Sequence, residues 1–213
     1  MWRALVATLI PAAILATPTP VSAQEWPTIP DPVPVTVDSG TTALLVVDLV
    51  STFCARQEPC ANQIPAAARL LGQARQNGLF VVHTGSEPIA DVAPLPGEPI
   101  VNAPTDKFYD SGLDDLLKER GVKTVVIVGW SANRGVAFTA FAAAIRGYTV
   151  AVPVDAAIGA TEFDTLVGQY QMLNVTGTPQ LAQRTAQRRR RNAHAVGSDQ
   201  LQLSRARFCV RPP

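Results

Sequence analysis

Four apolar runs set the rhythm of the chain: "TALLVVD" (42–48), "LFVVHT" (79–84), "KTVVIVG" (123–129) and "YTVAVPVD" (148–155). Each is nearly continuous in apolar residues rather than alternating, the pattern of strands covered on both faces. Between them, helical patterns occupy 62–77, 111–120 and 134–146, and each stops at a glycine: Gly78, Gly121 and Gly147. Glycine enters the left-handed conformation that closes a helix without a Cβ penalty, so these are helix ends with a mechanism. Strands alternating with helices of this length predict an α/β fold built on a parallel sheet.

In such sheets ligands gather at the carboxyl ends of the strands. Asp48, Thr84, the elbow 129–135 and Asp155 all fall at strand ends. The connection 87–106, "EPIADVAPLPGEPIVNAPTD", is long and proline-rich, as a loop over an active site would be; a surface excursion would read the same way. "ATEFDTLVGQYQMLN" (160–174) predicts one more helix, after which the alternation stops. The remainder, rich in Gln, Arg, Ala and Pro, offers no convincing strand, which fits either a disordered extension or a C-terminus altered by a reading-frame shift.

Composition adds scale to this outline. With 213 residues, 47% of them hydrophobic and 16% charged, the chain has room for one well-buried domain. The start, "MWRALVATLIPAAILATPTPVSAQEW", combines an early arginine, an apolar stretch broken by Pro11 and the small-x-small site Val21-Ser22-Ala23. This predicts a secretory signal peptide over 1–23, hence a secreted or periplasmic protein with no membrane association after cleavage. A proline-rich lead-in over 24–39, a domain over 40–176 and a basic tail over 177–213 complete the division.

Charge is unevenly spread. Eight of the 18 basic residues, all arginine, lie beyond residue 180 against a single acid, Asp199, so the tail carries about +7 and the rest about −6. No aromatic residues alternate with these arginines for base stacking, so the tail reads as a solvated, disordered end rather than a nucleic-acid binder. The three cysteines of the mature chain are Cys54, Cys60 and Cys209. In an oxidising compartment Cys54 and Cys60 can close a small loop, although spacing alone does not fix the pairing.

The residues with chemical potential converge on a known pattern. "TALLVVDLVSTF", with Asp48 ending the strand and Phe53 five residues on, and "DKFYDSGLDDLLKERGVKTVVIVGWSANRGVAFTAFAAAIRGYTVAVPVDA" together resemble the isochorismatase-like (cysteine hydrolase) superfamily over residues 40–172. The resemblance implies a three-layer α/β/α fold, Rossmann-like, with a parallel sheet of about six strands and a small-molecule substrate. It also implies self-association into a homo-oligomer. Its catalytic trio of aspartate, lysine and cysteine carries over to Asp48 and Lys107, while the third position falls on Gly135. Without the thiol, covalent amide hydrolysis has no obvious route.

True isochorismatases resemble this chain in having glycine there, and they hydrolyse a vinyl ether: a proton is delivered to carbon and water adds to the resulting oxocarbenium ion. On that reading Asp48 is the general acid, Lys107 orients the substrate or stabilises its charge, and the Gly135 elbow leaves room and N–H donors. Phe53, Trp130, Ser131 and Arg134 are the substrate-contact candidates. Ser131 sits four residues before Gly135 and reads equally as a turn or cap residue. Arg134 could offer its fork of donors to a carboxylate or simply face solvent. Leu49, Val50 and Ser51 depart from the polar run usual in the family.

Some relatives hold a metal through aspartate and histidines. This chain has only His83, inside an apolar strand, and His194 in the tail, so no metal and no cofactor are expected. A non-catalytic binding module and a truncated or frame-shifted relative stand as the rival readings.

Overall fold

The computed structural model describes residues 29–32 and 34–174, together with the strands Gln200–Gln202 and Phe208–Cys209. The signal-peptide reading and most of the tail lie outside the described residues. In chain order the elements are β1 (Thr36–Asp38), β2 (Thr42–Val47), α1 (Ser51–Cys54), α2 (Glu58–Gln76), β3 (Phe80–Thr84), β4 (Ile100–Val101), α3 (Leu113–Glu119), β5 (Thr124–Gly129), α4 (Ala137–Ile145), β6 (Thr149–Pro153), α5 (Glu162–Asn174), β7 (Gln200–Gln202) and β8 (Phe208–Cys209). The four apolar runs are strands β2, β3, β5 and β6, and the three glycine stops all take positive φ, 68°, 64° and 90° at Gly78, Gly121 and Gly147.

Six strands form one sheet in the order β4-β3-β2-β5-β6-β8, the first five parallel and β8 antiparallel to β6. The period of two along each strand divides its side chains between two cores. Leu44, Val46, Val126 and Val128 face α2 with Leu70 and Leu71. Ala43, Leu45, Val47, Val125 and Ile127 face the opposite layer with Leu113, Leu117, Ala140 and Ala143. Helices therefore cover both faces, and every residue of β2 and β5 is buried, which is why these runs show no polar alternation.

Three differences from the sequence expectation have local causes. Helix α2 begins at Glu58, four residues before the predicted start, because Pro59 suits the first helical turn, where its missing N–H leaves no bond unmade. The connection 87–106 contains β4, a two-residue edge strand too short to carry a pattern. The tail contributes β7, antiparallel to β1, and β8; these segments of three and two residues correct the expectation of no strand there.

The long connection is tied down by charge. Arg75 of α2 donates from Nε and Nη2 to the two oxygens of Glu98, both at 2.8 Å, and from Nη2 to the carbonyl of Ala93. Glu98 also accepts from the Leu95 N–H and from Nε2 of His83, the latter at 2.8 Å. His83 is thus a hydrogen-bonded core histidine. Burial would raise the Glu98 carboxyl, but the bonds from Arg75, Leu95 and His83 outweigh it and bring it down to about 2. Desolvation holds His83 below its ordinary value, against the pull of Glu98.

Both shifts have the same consequence for stability. The fold favours ionised Glu98, so this contribution is complete above the ordinary carboxylate value of 4.5 and is lost as pH falls toward 2. It favours neutral His83, so that contribution is complete above 6.5 and declines as pH falls below it. Thermal melts are expected to show a melting temperature that drops as pH is lowered from 7 to 5 and drops further below 4. His83→Gln should flatten the upper part of that profile, and Glu98→Gln should cost about 2 kcal/mol at pH 7 by leaving Arg75 without its carboxylate.

Candidate active site

The chain runs from β2 to β3 and β4 on one side of the sheet, then returns to β5 and β6 on the other. The reversal opens a crevice at the carboxyl ends of β2 and β5, where Val47 and Gly129 are register partners. Asp48 follows one strand and the elbow follows the other, so two segments about 80 residues apart in sequence meet because the sheet reverses there.

Asp48 leaves β2 with φ 51°, a left-handed conformation that aspartate tolerates better than most residues. The turn aims its carboxylate across the crevice. Oδ2 lies 2.8 Å from Lys107 Nζ, and Oδ1 accepts a 3.0 Å hydrogen bond from Thr84 Oγ1 at the end of β3. Thr84 also receives the Asp48 N–H at 3.2 Å. The Lys107 side chain is 4% exposed and that of Asp48 15%, so this is a nearly desolvated pair. Nζ donates to the carbonyls of Ala103 and Pro104. The Lys107 backbone is fixed by its N–H to Thr139 Oγ1 of α4.

The elbow is built by close approach. Gly129 has φ 148°, and a Cβ placed on it would sit 2.0 Å from the Val47 carbonyl oxygen, so only glycine lets β5 turn so near β2. The peptide between Trp130 and Ser131 is cis. A single widened helical turn, Ala132–Val136, follows, with the Val136 N–H reaching the Ser131 carbonyl five residues back. The N–H groups of Trp130, Ala132 and Arg134 are committed to the carbonyls of Val47, Ile158 and Ser131. Gly135 is buried within this turn, and a Cβ on it would lie 3.3 Å from Asp48 Oδ2 and 2.8 Å from the Trp130 carbonyl oxygen.

These parts line one cleft of about 700 Å³. All seven residues singled out in the sequence, Asp48, Phe53, Lys107, Trp130, Ser131, Arg134 and Gly135, contribute to its wall. Ser131 holds the N-cap position without capping, its hydroxyl donating to Asn133 Oδ1 at 3.0 Å. Asp155, also noted at a strand end, does not join them; it pairs with Arg69 at 2.8 Å elsewhere on the surface. Asn133 and Asp164 were missed: Asn133 donates to Asp164 Oδ1 at 2.7 Å and so ties the elbow to α5. Gln57 and Thr52 complete the lip near Phe53, and Cys54 and Cys60 are joined by a disulfide that staples α1 to α2 at that lip. Among the described residues no cluster of His, Cys, Asp and Glu could hold a metal ion.

Comparisons with known proteins show the family. A family model for the isochorismatase domain matches residues 42–182. The chain belongs to the isochorismatase family. Within that family, a streptothricin hydrolase of Streptomyces noursei is 37% identical over 133 residues, 54% of this chain and 53% of that protein. The chain spans about half the length of the curated relatives it matches. Among solved structures, N-carbamoylsarcosine amidase from Thermoplasma acidophilum superposes with a TM-score of 0.57 at 26% identity, covering 62% of this chain and 91% of that one. An isochorismatase family protein from Desulfovibrio vulgaris gives 0.60 at 24% identity, over 62% and 89%, a likeness of fold.

The elbow's tolerance is directly measurable. Gly129→Ala adds a Cβ that overlaps the Val47 carbonyl and is expected to destabilise the isochorismatase fold by at least about 3 kcal/mol in chemical denaturation. Gly72→Ala, on a helix with nothing near its Cβ position, should leave stability unchanged or slightly raised.

Proposed function

We propose that this isochorismatase-family chain is a hydrolase of a small molecule that works by acid–base chemistry without a nucleophilic thiol. The observation that carries this is the Asp48–Lys107 pair at 2.8 Å, facing Gly135 at the position where the family resemblance puts a cysteine. A part-buried carboxylate and a buried ammonium beside a site with no thiol can serve as a proton carrier and its counter-charge.

Asp48 Oδ2 faces Lys107 Nζ at 2.8 Å and Oδ1 accepts a hydrogen bond from Thr84, which fixes the orientation of the carboxylate beside Gly135. Water held beside Gly135 gives its proton to Asp48 as its oxygen bonds to the electrophilic carbon of the substrate. Asp48 then passes that proton to the departing atom as the scissile bond breaks. In the vinyl-ether order Asp48 enters protonated and delivers that proton to carbon; water then adds to the oxocarbenium ion and returns a proton to Asp48, and the hemiketal so formed expels the alcohol to leave a carbonyl. In either order Lys107 keeps the positive charge beside Asp48 constant.

The streptothricin hydrolase relatives support hydrolysis as the reaction class, while the substrate here is open to a wider set of small molecules. Export is part of the proposal, and the Cys54–Cys60 disulfide supports an oxidising compartment.

The test is a screen of amide, lactam, ester and vinyl-ether substrates on the exported form of the chain. Turnover is expected to survive iodoacetamide and to fall about 10²- to 10⁴-fold in Asp48→Asn. Full activity in Asp48→Asn, or inactivation by iodoacetamide, would overturn the reading. A ligand that binds the cleft and is recovered unchanged would establish the binding-module alternative instead.

A further inference from the structure

Four charged residues line the cleft: Asp48, Lys107, Arg134 and Asp164. Three of them are spoken for. Asp48 and Lys107 neutralise each other, and Lys107 also donates to the carbonyls of Ala103 and Pro104. Asp164 accepts from Asn133 Nδ2 on one oxygen and from Thr161 Oγ1 on the other. Arg134 differs: its side chain is exposed and, among the described residues, its guanidinium has neither a hydrogen bond nor an ion pair.

The contrast with the other arginines is chemical. Arg69 and Arg75 rest on carboxylates, while Arg120 and Arg146 stack on the rings of Phe80 and Phe108. Arg56, which is exposed, is not part of the cleft wall. Arg134 is therefore the one charged cleft residue whose five donors are uncommitted among the described residues, and it immediately precedes Gly135.

We propose that Arg134 binds a carboxylate of the substrate, so that the cleft is selective for small carboxylic acids over their neutral analogues. The inference rests on the cleft being the substrate site of the hydrolase proposed above. A planar fork of donors matches a carboxylate through two parallel hydrogen bonds, which a neutral amide cannot reproduce. The Asp48 charge does not oppose such a ligand, because Lys107 balances it at 2.8 Å, and Arg134 offsets the charge of Asp164, whose hydrogen bonds come from the neutral Asn133 and Thr161. Neutral groups on the same wall, Thr52, Gln57 and Ser86, are left to contact the rest of the molecule.

Benzoate and benzamide, alike in shape and one charge apart, are suitable probes, titrated by calorimetry into the exported chain and into Arg134→Gln and Arg134→Lys. The wild type should bind benzoate at least tenfold more tightly than benzamide. Arg134→Gln should erase that preference while leaving benzamide within twofold and the melting temperature unchanged; Arg134→Lys should restore part of it. No benzoate preference in the wild type, including no binding of either probe, or a preference that survives Arg134→Gln, would overturn the proposal. The two readings fail separately. A missing preference with turnover abolished in Asp48→Asn removes the carboxylate assignment alone, and a clear preference with turnover intact in Asp48→Asn removes the proton-transfer reading alone.

Discussion

The contact on which the site depends is the 2.8 Å pair between Asp48 and Lys107. Two charges taken out of water at the edge of a sheet are tolerable only when each is matched in charge and in hydrogen bonds, and here nearly every neighbour serves that end. Thr84 donates to the second aspartate oxygen, and the carbonyls of Ala103 and Pro104 accept from the ammonium. Removing either partner would strand a buried charge. The pair therefore fixes the geometry of three segments, the ends of β2 and β3 and the stretch after β4.

That last stretch would otherwise be the weak wall. Residues 87–106 contain one short 3₁₀ turn and a two-residue strand, too little structure of their own to fix two carbonyls against Lys107. The Arg75–Glu98–His83 cluster makes up the deficit from the far side of β3, binding the loop to α2 and to the sheet. On the opposite lip, the disulfide and the Ser51 N–H to the Glu87 carbonyl hold Thr52 and Phe53 near the opening. The cleft is thus bounded by two clamps of different chemistry.

What the sequence disclosed and what it hid follow from how far each interaction reaches along the chain. Buried strands write themselves as continuous apolar runs, and helix ends as glycines, so β2, β3, β5, β6 and the helices after them were legible. Asp48 and the elbow were legible because strand ends in a parallel sheet are where ligands collect, and Lys107 because its order and spacing with them resemble a family. Thr84 stood at a strand end too, but its bond to Asp48, 36 residues away, has no local signature. The same holds for Asn133 and Asp164, 31 residues apart. Strands of two or three residues, β1, β4, β7 and β8, are too short for any periodicity to register.

Gly135 gains a second meaning in three dimensions. Read along the chain, it is a position without a thiol. In the fold, the Trp130 carbonyl oxygen stands 2.8 Å from where a Cβ would be, nearer than such contacts normally come, so the turn has closed onto the glycine. A cysteine introduced there would first have to move backbone that is anchored by the Trp130 N–H on Val47 and the Ala132 N–H on Ile158. The loss of the side chain and the position of the elbow are therefore coupled, and a single substitution would not recreate a thiol site in its ordinary geometry. The same closeness that disfavours a side chain leaves Asp48 Oδ2 and the Trp130 carbonyl as two acceptors converging beside Gly135, an arrangement matched to a water molecule's two protons.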